Sequence, residues 1–203
     1  EQDAKHFALA TTAEENRAVR HFRPIAKALN AVIPISFFER ANHAFFNTTA
    51  IIDADGEVMG LYRKSHIPNG PGYQEKHYFN PGDTGFKVWN TGHGRIGLGI
   101  CWDQWFPETA RSMAVMGAEL LLFPTAIGTE PPPAPPHNSR DHWQRTQQGH
   151  AAANVMPLIA SNRIGVERST QDPDGNWLRF YGSSFIADHL GVPPERVRMV
   201  QGD

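Results

Sequence analysis

Arg95 to Glu108 reads RIGLGICWDQWFPE, and this stretch decides the fold. An apolar strand, Ile96 to Ile100, runs straight into Cys101. A short turn follows, and a helix is predicted from Pro107, because proline suits a first helical turn. A residue placed between strand and helix is lifted to the carboxyl end of a sheet, where α/β proteins bind their ligands. Gly97 and Gly99 alternate along the strand and let another backbone or a substrate come close. The amide of Trp102 lies where it could donate to a developing oxyanion. The plainer reading of a lone cysteine is a buried small hydrophobe. Its surroundings favour a nucleophile, because Trp102, Asp103, Gln104 and Trp105 are costly to bury without partners and follow the thiol directly.

Working outward, strands and helices alternate. Ala13 to Asn30 carries Val19, Phe22, Ile25, Ala26 and Leu29 at helical spacing, with Pro24 as a possible bend. Val32 to Phe38 reads as a buried strand. Asn47 to Asp53 and Glu57 to Arg63 form a hairpin about Ala54, Asp55 and Gly56. Phe86 to Trp89 pairs with Arg95 to Ile100. Pro107 to Met116 is helical, with Gly117 as its cap. Glu119 to Phe123 is a short strand, Ser139 to Val155 a long helix, and Pro157 to Ser161 another strand. Pro131 to Pro136 (PPPAPP) is extended and reads as a rim loop over the site. Asp172 to Asn176 is a tight turn before a strand from Leu178 to Ala187. Hairpins mixed with strand–helix–strand units predict an α/β layer architecture.

Composition narrows the function. In 203 residues, 19 Lys and Arg stand against 21 Asp and Glu, for a net charge of −2. No basic field is present to bind nucleic acid or an anionic membrane surface. No apolar run approaches the ~20 residues of a membrane helix. The start, EQDAKH, has no apolar signal-peptide core, so a cytoplasmic location is expected. Cys101 is the single cysteine, so neither an internal disulfide nor a cysteine-based zinc site is expected. His137, His142 and His150 are spaced by 5 and 8, not by the 4 that sets two metal ligands on one helix face. They read as helix-capping, pocket-lining or surface residues.

A thiol nucleophile needs a base and an oxyanion stabiliser. The chain offers Lys64, in YRKSHIP (Tyr62 to Pro68), at a strand end before the loop Asn69-Gly70-Pro71-Gly72. A lysine near a thiol lowers its pKa and can donate to an oxyanion. The alternative is a solvated lysine.

YRKSHIP, the segment YQEKHYFNPGD (Tyr73 to Asp83) and GICWDQWFPE around Cys101 resemble the nitrilase superfamily. Phe123 to Gly128, Ser139 to Trp143 and Ser161 to Gly165 fit its branch of N-carbamoylputrescine amidohydrolases. The likeness runs from the first residues to about Asp188. It implies a four-layer α-β-β-α sandwich, one domain over 1–203, assembled as a homo-oligomer and needing no metal or organic cofactor. It implies Cys101 as nucleophile, Lys64 as the lysine beside it, and Glu75 as a second glutamate orienting the site. The implied reaction hydrolyses the ureido group of N-carbamoylputrescine to putrescine, carbon dioxide and ammonia, a step of polyamine biosynthesis. Trp102, Trp105 and Trp143 are expected to wall the substrate methylenes, and Glu130 or Asp141 to meet its ammonium. Asp141 could equally well complement a helix N-terminus.

Two irregularities accompany the resemblance. The family base is a glutamate ending an amino-terminal strand, and this chain is expected to begin after it. Glu14 and Glu15 read as helix-start charges, and Glu39 matches a different family position, so none is assigned as the base. His189 to Asp203 departs from the family pattern. The expectation is a partial domain, inactive by itself. The alternatives are a relative acting on another N-carbamoyl or β-ureido compound, and an inactive relative serving as a binding subunit.

Overall fold

The computed structural model describes residues 2–70, 72–129, 138–169 and 177–191. Helix α1, Arg17–Leu29, starts at Asn16, whose side chain accepts from the amides of Ala18 and Val19. This cap puts the start four residues later than the hydrophobic spacing predicts. Pro24 lies within α1. Strands β1 (Ile33–Ala41), β2 (Ala44–Ile52) and β3 (Val58–Arg63) form an antiparallel sheet in that order. The β1–β2 turn was not foreseen from the sequence. It is made by Asn42, whose positive φ of 54° suits asparagine.

Period-two alternation along β2 separates two cores. Ala50 and Ile52 pack with Val19 and Ala26 of α1. Ile51 points the other way and packs with Tyr62, Trp89, Leu98 and Ile100. The last three belong to or adjoin a second sheet. It contains β4 (Val88–Thr91), β5 (Gly94–Leu98), β6 (Leu120–Thr125), β7 (Leu158–Asn162) and β10 (Phe185–Ala187), in the order β10-β7-β6-β5-β4. β5, β6 and β7 run parallel, joined by crossover helices α2 (Pro107–Val115) and α3 (Arg140–Asn154). Both helices pack on the outer face of this sheet through Ala110, Met113, Trp143 and Ala151. The layers are therefore helix, sheet, sheet, helix, as the resemblance implies. β8 (Ile164–Arg168) and β9 (Trp177–Tyr181) make a two-stranded ribbon in which β8 is exposed while Phe180 of β9 is buried and bridges to Gly128.

The strand expected over Leu178 to Ala187 is divided. Gly182 and Ser183 both take positive φ, 58° and 55°, which no extended strand tolerates. β8 was not expected, because its exposed residues carry no core pattern. PPPAPP, the turn Asp172 to Asn176 and the segment 192–203 lie outside the described residues. No described helix is long and apolar enough to cross a membrane.

Gly97 and Gly99 admit close approach, but by side chains rather than a substrate. A Cβ on Gly99 would lie 2.7 Å from a ring carbon of Phe123 and 3.1 Å from the Thr109 methyl. Gly99→Ala should therefore destabilise the protein by about 1–3 kcal/mol through overpacking. Gly149→Ala in α3, where the added carbon meets nothing within 4 Å, should be neutral or stabilising. Thermal denaturation of the two variants checks this, and an unchanged midpoint for Gly99→Ala would refute it.

Candidate active site

Cys101 opens a short 3-10 turn, Cys101–Trp105, between β5 and α2. Its φ of 46° places a non-glycine residue in the left-handed region. Such a conformation costs on the order of 1–3 kcal/mol and persists only where the surroundings enforce it. The thiol lies 4.0 Å from the Ala126 carbonyl, to which it donates. Burial pushes the thiol pKa above its ordinary value. The Lys64 charge pulls it down, while Glu75 and Asp103 push it up. The resting group is therefore a thiol at neutral pH, and its nucleophilicity depends on a proton acceptor.

Lys64 follows β3 and is 1% exposed. Its Nζ donates to both carboxylate oxygens of Glu75, at 2.9 and 2.7 Å. An ammonium buried this deeply requires such a partner. Glu75 begins a 3-10 turn, Glu75–His77, and also accepts from Asn47 Nδ2 at 3.4 Å. The three residues are thus coupled: Glu75 holds Lys64, and both charges act on Cys101.

Glu39 is buried elsewhere. Its carboxylate accepts from both Arg63 Nη2 at 2.6 Å and Arg63 Nε at 2.8 Å, and from the Thr48 hydroxyl at 2.6 Å. It is a structural ion-pair partner that links β1 to β3 across β2, the strand that carries Thr48. Arg63, which also donates to Asp83, has its pKa raised mainly by the hydrogen bonds it donates to Glu39. Glu15, in turn, is exposed and accepts from the Thr12 amide.

A cavity of about 470 Å³ opens at Cys101. Its aromatic walls are Tyr73, Trp102 and Trp105, and its polar groups include Asn69, Gln104, Ser139 and His142. Among the described residues, no lining side chain is a carboxylate. Trp102 and Trp105 are where a wall for methylenes was expected. Trp143 is not. It is fully buried behind the cavity, and its indole N–H donates to Gln104 Oε1 at 2.8 Å. That oxygen also accepts from Thr125 and Gln147. Asp141 is not brought to the cavity either. It stands in the first turn of α3, exposed and ion-paired with Arg140 at 2.9 Å. Glu130 and His137 lie outside the described residues. His150 is buried against the Gln104 carbonyl at 2.8 Å, whereas His142 reaches the cavity beside the Trp105 ring. Among the described residues, no cluster of three or more His, Cys, Asp or Glu side chains could hold a metal ion.

Sequence reasoning did not assign roles to Asp103, Tyr62, His66 and Gln104, which form the hydrogen-bonded support beneath the cysteine turn. The signal was the cost of burying Asp103 and Gln104, since groups so placed must have partners.

Residues 1–193 match the family described as Carbon-nitrogen hydrolase. The chain is 56% identical over 190 residues to a citrullinase from Francisella tularensis subsp. tularensis, covering 94% of this chain and 65% of that protein. It is 63% identical over 167 residues to an N-carbamoylputrescine amidase from Solanum lycopersicum, covering 82% of this chain and 55% of that protein. Its fold superimposes on the crystal structure of a carbon-nitrogen hydrolase from Helicobacter pylori G27 with a TM-score of 0.86. The two are 41% identical, and the match covers 94% of this chain and 66% of the other. The chain thus spans between about half and two thirds of the length of these relatives.

Proposed function

The chain belongs to the carbon-nitrogen hydrolase family, and we propose that the protein it comes from hydrolyses a ureido group, with N-carbamoylputrescine as the preferred substrate. The observation that carries this reading is the strained Cys101 turn at a cavity, within the field of the buried Lys64–Glu75 pair. The close relatives named N-carbamoylputrescine amidase support the substrate.

On this reading the sulfur attacks the ureido carbonyl and passes its proton to a carboxylate. The tetrahedral oxyanion is stabilised by the Lys64 ammonium and the Trp102 amide. Collapse expels ammonia, which takes up that proton, and leaves a thiocarbamate on Cys101. Water then attacks the thiocarbamate, releasing a carbamate that breaks down to putrescine and carbon dioxide. Asp103 is saturated by donors, and Glu75 is engaged by Lys64. The resemblance assigns the base to a glutamate of an amino-terminal strand that none of the described residues matches. The same reading makes the enzyme a metal-independent, cytoplasmic homo-oligomer of polyamine biosynthesis.

A second reading has its own support. The relative named citrullinase and the absence of a carboxylate among the described lining residues both favour a ureido substrate whose tail carries a carboxylate. Tyr73, Trp102 and Trp105 offer aromatic faces to a cationic tail, each cation–π contact contributing about 0.5–2 kcal/mol. Competition among N-carbamoylputrescine, citrulline and N-carbamoyl-β-alanine in the full-length protein decides between them. The expected outcome is a higher kcat/KM for N-carbamoylputrescine, and preference for either carboxylate-bearing substrate would overturn that assignment. Asp141→Asn should leave the preference unchanged, because its carboxylate faces solvent. Glu130→Gln should erode it if Glu130 receives the ammonium.

A further inference from the structure

Asp103 follows Cys101 by two residues, and its carboxylate is fully buried. It does not line the cavity. Four donors converge on it. Oδ2 accepts from the Ile100 amide at 2.9 Å and from the Tyr62 hydroxyl at 2.8 Å. Oδ1 accepts from the His66 amide at 3.0 Å and from His66 Nδ1–H at 2.7 Å. Ile100 immediately precedes the cysteine, whereas Tyr62 and His66 stand two residues before and two after Lys64. One carboxylate therefore ties the turn carrying the thiol, beyond the carboxyl end of β5 in the five-stranded sheet, to the segment carrying the ammonium, which leaves the three-stranded sheet. The His66 ring lies flat on Phe106, with centroids 3.6 Å apart and planes 8° apart. Phe106 caps the far end of the same turn, so the junction is gripped at both ends.

We propose that Asp103 is a positioning residue that sets the register of Cys101 against Lys64 across the two sheets. The inference rests on reading Cys101 as the nucleophile and Lys64 as its partner. Activation of the thiol does not account for a buried anion here, because the negative charge of Asp103 disfavours the thiolate. Its gain is geometric. Charge-assisted hydrogen bonds are about twice as strong as neutral ones, and here they hold a left-handed cysteine that would otherwise relax. Tyr62 has its own pKa raised by burial and by Asp103, so its hydroxyl remains a donor to the carboxylate.

The test is the rate at which iodoacetamide labels Cys101 at pH 7 in the full-length protein, read on the peptide bearing that residue, alongside kcat. In Asp103→Asn the lost register should remove Lys64 from the thiolate, so labelling should slow by about tenfold and kcat should fall at least as much. Faster labelling would show that the charge of Asp103 was its only influence on the thiol, and would overturn the proposal. Unchanged labelling with a lowered melting temperature would reduce Asp103 to a stability role, and would also overturn it. If Asp103→Asn does not fold, Tyr62→Phe decides, since it removes one donor and keeps the ring and the carboxylate. It should slow labelling by roughly three- to tenfold, the worth of one hydrogen bond, and unchanged labelling would refute the register. Labelling needs no substrate, so this result stands apart from the ureido assignment. Survival of hydrolysis in Cys101→Ser would instead sink the nucleophile reading itself.

Discussion

Replacing Cys101 by serine in the full-length protein should abolish hydrolysis while leaving the melting temperature within a few degrees of the parent. Serine keeps the size of the side chain and can donate to Ala126 as the thiol does. It removes the polarisable nucleophile. A hydroxyl is far less acidic than a thiol, and the cation beside it, the Lys64 ammonium paired with Glu75, is a proton donor that cannot serve as the base a catalytic serine needs. The expected loss is at least ~10⁴-fold in kcat, the scale seen when a covalent nucleophile is removed. Turnover within tenfold of the parent would end the assignment. The parent thiol should react slowly with alkylating agents at neutral pH and faster as the pH rises, because burial lifts its pKa above the ordinary value.

Lys64→Ala should lower kcat by roughly a hundredfold or more, about 3 kcal/mol, the cost of one lost oxyanion donor. The change also carries a signed effect on pH dependence. The Lys64 charge favours the thiolate, whereas Glu75 disfavours it. Removing the lysine therefore raises the thiol pKa further, and the alkylation profile of Cys101 should move to higher pH. At a fixed neutral pH, labelling slows, and it recovers as the pH is raised. Rate loss without the alkaline displacement would leave Lys64 its oxyanion role alone and remove it from the activation of the thiol. Near-normal turnover would remove it from the chemistry. Lys64→Ala leaves Glu75 without its cation, but that carboxylate keeps partial contact with solvent and the Asn47 amide, so the fold should survive.

The amino-acid sequence by itself determined the local order of this protein. The apolar run ending at Cys101, the proline starting α2 and the Ala54-Asp55-Gly56 turn between β2 and β3 set elements through nearest-neighbour physics, and no tertiary information was required to read them. It also pointed to Cys101 and Lys64 from their strand-end settings, and to Glu75 through the resemblance of YQEKHYFNPGD to its family. What only the tertiary structure decided was which polar groups meet. Asp103 and Lys64 lie 39 residues apart in the chain, so the strap through Tyr62 and His66 has no local signature. Trp143 looked like a pocket aromatic, yet the rotation of α3 turns it into the core onto Gln104. Asp141, in the first turn of the same helix, is exposed and paired with Arg140. Periodicity assigns a residue to a helix or a strand. The direction of a side chain relative to a cavity depends on how two sheets and three helices pack, and that is settled by the burial of their apolar faces, not by spacing along the chain.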